Sequence, residues 1–346
     1  MIISQTPYRV SLAGGGTDLP AFYRQEAGAV VSVTIGRHIY VTVHSRFKPN
    51  VRVAYSRTET VDRYDDLDHE LARETLRLLD LDVPLEITTI GDVPAGTGMG
   101  SSSSLSVGLL NALYAYRGEI VSHERLAREG CQVEIDILGK PIGKQDQYAA
   151  AFGGINYMVF HADDTVDVEP IPFRAEMLAT LESYALLVYT NDQRDANEIL
   201  KQQSDGTNNC MSDLRQIRDL AGNIRTTLSG DGDINELADL LHEGWQLKRS
   251  LKFGISNKKI DHWYETARRA GALGGKLLGA GGGGFMLLLA PPECHESIRE
   301  ALGRPHELPF TVDPRGSRIV FISDDHAPQS TASQTARGLC SAVHNQ

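Results

Sequence analysis

The chain has 346 residues, 41% hydrophobic and 23% charged, an ordinary globular composition with room for two domains. Its 34 basic and 45 acidic residues leave a net charge of −11, which disfavours nucleic acid and anionic lipid as partners and requires a local cationic site for any anionic substrate. Cys131, Cys210, Cys294 and Cys340 form no CxxC pair, Met1 to Val10 carries no basic leader, and the longest apolar run, Phe285 to Ala290, is far too short for a bilayer, so a cytoplasmic protein without disulfide framework, zinc site or membrane span is expected.

In chain order, Pro7 to Asp18 (PYRVSLAGGGTD) reads as a strand entering a glycine turn. Arg9 on that strand needs an anion if it is buried, and Asp18 either accepts hydrogen bonds from sugar hydroxyls or caps a helix. Residues 29–43 alternate and read as two strands meeting near Gly36. Residues 66–80 form an amphipathic helix and residues 85–90 a strand. The loop Pro94 to Ser104 (PAGTGMGSSSS) follows, where Gly96, Gly98 and Gly100 permit sharp turns. Ser101, Ser102, Ser103 and Ser104 then open a helix, apolar nearly all round over 105–116, whose free amides and dipole suit a triphosphate; the alternative is a tight turn with serine caps. No GxxxxGK[ST] occurs, so this is not a Walker loop.

A further helix spans 122–138 with Ser122 as its cap. Glu134 lies on its apolar face and needs a partner; with a loop serine it would suit magnesium, and otherwise it pairs with a lysine. Asp146 precedes the helix-like 148–152 and is either an N-cap or the group that deprotonates an attacking hydroxyl. Residues 155–190 read as strands, with the domain boundary among them; helices are expected over 193–204, 211–228, 234–250 and 257–270. Residues 276–285 (KLLGAGGGGF) formally contain GxGxxG, but a helix-like lead-in and a strand at 285–290 reverse the order that a dinucleotide site requires. A dinucleotide-dependent oxidoreductase is rejected on that order. Close approach of this turn to the 94–104 loop, or a flexible connection, accounts for its glycines. Residues 317–322 read as a last strand.

The motifs at 7–18, 94–104 and 276–285, in that order with Glu134 and Asp146 between them, resemble the GHMP small-molecule kinase superfamily over nearly the whole chain. The resemblance implies an α+β protein: an N-terminal α/β domain over 1–180, a C-terminal ferredoxin-like domain over 181–325, and a tail over 326–346. It implies an enzyme in which the loop from Pro94 to Ser104 wraps ATP, Ser102 and Glu134 hold Mg2+, Asp146 is the base, and Arg9 lies by the transferring phosphoryl group. The acceptor would meet Gly15, Gly16, Thr17, Asp18, Gly281 and Gly282. GGGTD is more similar to heptose and fucose kinases than to galactokinases, which carry an acidic residue and a histidine in place of Gly15 and Gly16. That implies transfer to the anomeric hydroxyl of a heptose phosphate, with fucose or another sugar as the alternative. A non-catalytic sensor on the same fold would lack the base or a metal ligand, and this chain keeps both. Cations for a substrate phosphate would come from Lys140, Lys144, Arg194, Lys201, Lys248 and Arg249, with Arg194 the first choice. A homodimer is compatible with the sequence.

Overall fold

The computed structural model describes residues 1–191, 196–251 and 253–323. Arg194 and the 326–346 tail lie outside them.

Strands β1 (Ile2–Ala13), β2 (Gly28–Ser45), β3 (Val51–Ala54), β4 (Thr58–Val61) and β5 (Leu85–Gly91) begin the first sheet; the short helix α1 (Pro20–Tyr23) follows the first glycine turn, and α2 (Glu70–Leu78) precedes β5. Residues 29–43 are not two strands. One long strand runs through Gly36, and its register against β1 shifts between Pro7 and Tyr8. The two extra residues, Gly36 and Arg37, bulge out without ending the strand. A Cβ at Gly36 would lie 2.6 Å from Thr311 Oγ1, so a larger residue there would displace that hydroxyl.

Helices α3 (Ser101–Tyr116), α4 (His123–Cys131) and α5 (Gln145–Phe152) cover one face. Ser122 caps α4 by accepting from the Arg125 amide, as its sequence predicts. The expected helix to 138 departs from α form, since Gln132–Ile137 make a wider π-helical turn. Strands β6 (Ile155–Phe160) and β7 (Val166–Pro170) extend the sheet from β2.

The second layer holds α6 (Ala175–Tyr184), β8 (Ala185–Tyr189), α7 (Ala196–Gly206), α8 (Met211–Ser229), α9 (Ile234–Ser250), α10 (Lys258–Arg269), β9 (Gly274–Leu277), β10 (Phe285–Leu289), α11 (His295–Ala301) and β11 (Glu307–Leu308). Its antiparallel sheet has the order β11-β8-β10-β9. The last strand, β12 (Arg318–Ile322), pairs with β1 in the first sheet, so it does not belong with the second domain as the expected 181–325 boundary has it. Val31 and Val33 of β2 share one buried cluster with Leu187, Leu289, Ile224 and Leu241. The domains therefore meet through continuous apolar core, which fixes the cleft between them.

Candidate active site

The 92–100 loop turns on Gly96, Gly98 and Gly100, at φ of +77°, +83° and +72°. Gly100 ends the loop in the left-handed conformation and no side chain caps α3. The first-turn amides are thereby left to an anion. Ser101, Ser102 and Ser103 line a cavity of about 420 Å³ between the domains. Ser104 does not line it: its hydroxyl donates to the Pro7 carbonyl at 2.9 Å. Pro94 stands outside too, exposed, its carbonyl accepting from Thr97. The expected phosphate cradle thus narrows to the glycines and three serines.

The second glycine turn packs on this loop. The Phe285 amide donates to the Thr97 carbonyl at 3.1 Å, and a Cβ on Gly279 would come within 2.5 Å of Gly98 Cα. The lead-in to the turn is strand β9, not the helix its sequence suggests. The order strand, turn, strand still excludes a dinucleotide fingerprint. Gly281 lines the cavity, whereas Gly282 does not, its amide being spent on the Ile255 carbonyl at 2.8 Å.

Asp146 sits in the first turn of α5 without capping it. Arg9, nearly fully buried, grips it twice: Nε to Oδ1 at 2.6 Å and Nη2 to Oδ2 at 2.7 Å. The remaining Arg9 nitrogen donates to the Gly98 carbonyl at 2.7 Å. One guanidinium therefore locks a carboxylate and the phosphate loop in fixed register. Both Arg9 and Asp146 line the cavity.

The π-helical turn directs Glu134 inward, where it is fully buried. Ser102 donates to its Oε2 at 2.6 Å and Gln147 to its Oε1 at 2.9 Å, with Lys140 Nζ 3.9 Å away. Burial pushes the Glu134 carboxyl above its ordinary range, and the Ser102 hydrogen bond and Lys140 oppose that only in part. A buried carboxylate touching a hydroxyl at the mouth of a phosphate loop fits a divalent cation. No group of three or more His, Cys, Asp or Glu suited to a metal exists among the described residues, so nucleotide oxygens and water must complete such a shell.

Across the cavity, Asp18 accepts from the Gly16 amide at 2.9 Å and from Gln145 Nε2 at 3.0 Å. Burial, with Asp146 adding to it, raises its carboxyl above the usual range. Gly15, Gly16 and Asp18 line the cavity. Thr17 does not; it is fully buried, with its hydroxyl donating to the Gly14 carbonyl at 2.8 Å. Sequence reasoning missed Ser11, Gln145, Gln203 and Lys276, which also line it. Their signal is weak: Ser11 is a lone hydroxyl in an apolar strand, Lys276 one lysine in a glycine-rich stretch, and Gln145 and Gln203 are indistinguishable from their polar neighbours. Of the named cations, Lys140 and Lys248 reach the cavity; Lys144 is held by Asp164 at 2.9 Å, Arg249 by Asp261 at 3.1 Å, and Lys201 is exposed.

The description "GHMP kinases N terminal domain" matches residues 69–154 and "GHMP kinases C terminal" residues 220–307. The chain is 30% identical over 330 residues to a D-glycero-alpha-D-manno-heptose 7-phosphate kinase of Campylobacter jejuni, covering 90% of this chain and 97% of that one. It is 26% identical to a bifunctional fucokinase/GDP-fucose pyrophosphorylase of Arabidopsis thaliana over 89% of this chain but 32% of that protein. It superposes with TM-score 0.78 and 27% identity on a D-glycero-D-manno-heptose 1-phosphate kinase of Bacteroides thetaiotaomicron, covering 93% and 100% of the two chains. With its glycine–serine loop at an interdomain cleft and these matches, the chain belongs to the GHMP kinase family of ATP-dependent phosphotransferases.

Proposed function

We propose that this kinase phosphorylates the anomeric hydroxyl of D-glycero-D-manno-heptose 7-phosphate, yielding the 1,7-bisphosphate and ADP. The observation that carries the reading is the Arg9–Asp146 pair, held by two hydrogen bonds directly beside the phosphate loop. In this reading Asp146 accepts the proton of the acceptor hydroxyl while the sugar oxygen bonds to the γ-phosphorus; the bond from that phosphorus to the β,γ-bridging oxygen breaks, and ADP leaves with the electron pair. Arg9 places a fixed positive charge where the equatorial oxygens carry negative charge. Ser102 and Glu134 would hold magnesium, which supplies charge neutralisation on the phosphates. The choice of sugar is supported by the GGGTD turn and by the relatives named for heptose phosphates. Free thiols at Cys131, Cys210 and Cys294 are consistent with a cytoplasmic location.

The test is ATP turnover against D-glycero-D-manno-heptose 7-phosphate, L-fucose and galactose. The heptose phosphate should exceed the others in kcat/KM by at least roughly 100-fold, the discrimination that buried polar contacts supply. Faster turnover of fucose would move the assignment to the fucokinase branch.

A further inference from the structure

We propose that Lys248, Gln203 and Ser11 form an anion subsite that grips the phosphate of the acceptor, so that these three residues decide between a sugar phosphate and a neutral sugar. The inference rests on the acceptor being a sugar phosphate. Lys248 comes from the last turn of α9, Gln203 from α7 and Ser11 from β1, and all three line the cavity. They gather over the Gly15–Gly16 turn. A Cβ on Gly15 would lie 3.6 Å from Lys248 Nζ and 3.8 Å from Ser11 Oγ, and one on Gly16 would lie 2.1 Å from Gln203 Nε2. At Gly16, with its φ of +103°, a side chain is excluded, whereas a Cβ on Gly15 would make ordinary contacts.

These groups are buried donors in want of an acceptor. Gln203 Nε2 and Ser11 Oγ have no hydrogen-bond partner among the described residues, although Gln203 is 1% exposed and Ser11 5%. Buried polar atoms left unpaired call for an explanation, and these two line the cavity, where a ligand can reach them. Lys248 makes one hydrogen bond, to the Gly279 carbonyl at 2.9 Å, which leaves two N–H groups free, and it forms no ion pair among the described residues. Amide, hydroxyl and ammonium all donate, and a phosphate is all acceptor. The nearby carboxylate of Asp18 accepts from the Gly16 amide and from Gln145, and from none of these three groups among the described residues. Burial pulls Lys248 down to about 8, with Arg9 adding to the fall while Asp18 and Asp146 oppose it. A lysine so weakly held in its charged form is the one that an arriving anion stabilises.

The experiment compares Lys248→Met, Lys248→Arg and Gln203→Leu with the native protein on heptose 7-phosphate and on unphosphorylated heptose. For Lys248→Met the kcat/KM on the phosphate should fall roughly 10- to 150-fold, as when a charge-assisted hydrogen bond is lost, and at least tenfold more than on heptose. Lys248→Arg should recover part of the loss, and Gln203→Leu should show the same selective loss at smaller size. Equal losses on both sugars overturn the proposal. Independently of the sugar, inorganic phosphate is titrated calorimetrically into the full chain saturated with a non-hydrolysable ATP analogue. Binding that disappears in Gln203→Leu and Lys248→Met supports the subsite; no binding to the native protein, or binding unchanged in the variants, overturns it. Failure of heptose 7-phosphate as a substrate, with phosphate binding intact, would instead overturn the choice of acceptor.

Discussion

Asp146 is tied to Arg9 so tightly that chemistry and stability are coupled at this one residue. On the proposed mechanism Asp146→Asn removes the proton acceptor, and it should lower kcat roughly 10²- to 10⁴-fold in a single-turnover assay. It also leaves Arg9 buried without its counter-charge, so the melting temperature should fall by an amount equivalent to about 1–3 kcal/mol. Near-native turnover would remove Asp146 from the mechanism. Glu134→Gln should behave oppositely. Its carboxyl is raised by burial, so the folded state holds its proton more tightly than the unfolded chain and the ionised form destabilises the metal-free protein above the unfolded value. The glutamine should therefore keep or raise metal-free stability near neutral pH, while the magnesium concentration giving half-maximal rate rises roughly tenfold or more. Arg9 and Glu134 are legible in sequence because a charge in an apolar setting needs a partner, whereas Asp146, among polar neighbours, is singled out only by the family resemblance. Ser11 and Gln203 are not, because neutral polar side chains carry no such cost until the fold shows them unpaired.

At the scale of elements, the two glycine turns act as one unit. Gly279→Ala would force a Cβ to 2.5 Å from Gly98 Cα at a φ of +70°. It should destabilise by about 1–3 kcal/mol in urea unfolding and weaken ATP binding as the phosphate loop is pushed aside. Unchanged affinity would separate the two turns. Sequence patterns identify α3 and the helices from α8 to α10 well, since each carries a long periodic or uniformly apolar face. They miss α6, whose few buried positions, Met177 and Leu181, barely distinguish it from its strand neighbours. They also misread β9, whose Gly-Gly-Lys-Leu sequence has no β preference and is a strand only because β10 pairs with it.

Across the whole molecule, the site exists because both domains contribute to it: Arg9 and Asp146 from the first, and Lys248 and Gly279 from the second. The return of β12 to β1 is invisible in sequence, because pairing over some 300 residues leaves no local pattern. Joint construction has a pH consequence. Lys248 falls from 10.5 to about 8 when buried among Asp18, Asp146, Arg9 and Lys276. Its charged form is thus present below about 8 and lost above, while the sugar phosphate stays ionised. The kcat/KM for the phosphorylated acceptor should fall above that pH, and Lys248→Arg should shift the fall upward.

The proposed reaction carries the γ-phosphoryl group of ATP to an anomeric oxygen beside Asp146. Correlated 31P–1H spectra of the product from heptose 7-phosphate and ATP test it most directly. A new phosphorus signal coupled to the anomeric proton is expected, with the original phosphate retained. A product phosphorylated at another position, or ADP formed with no new sugar phosphate, would rule out anomeric transfer.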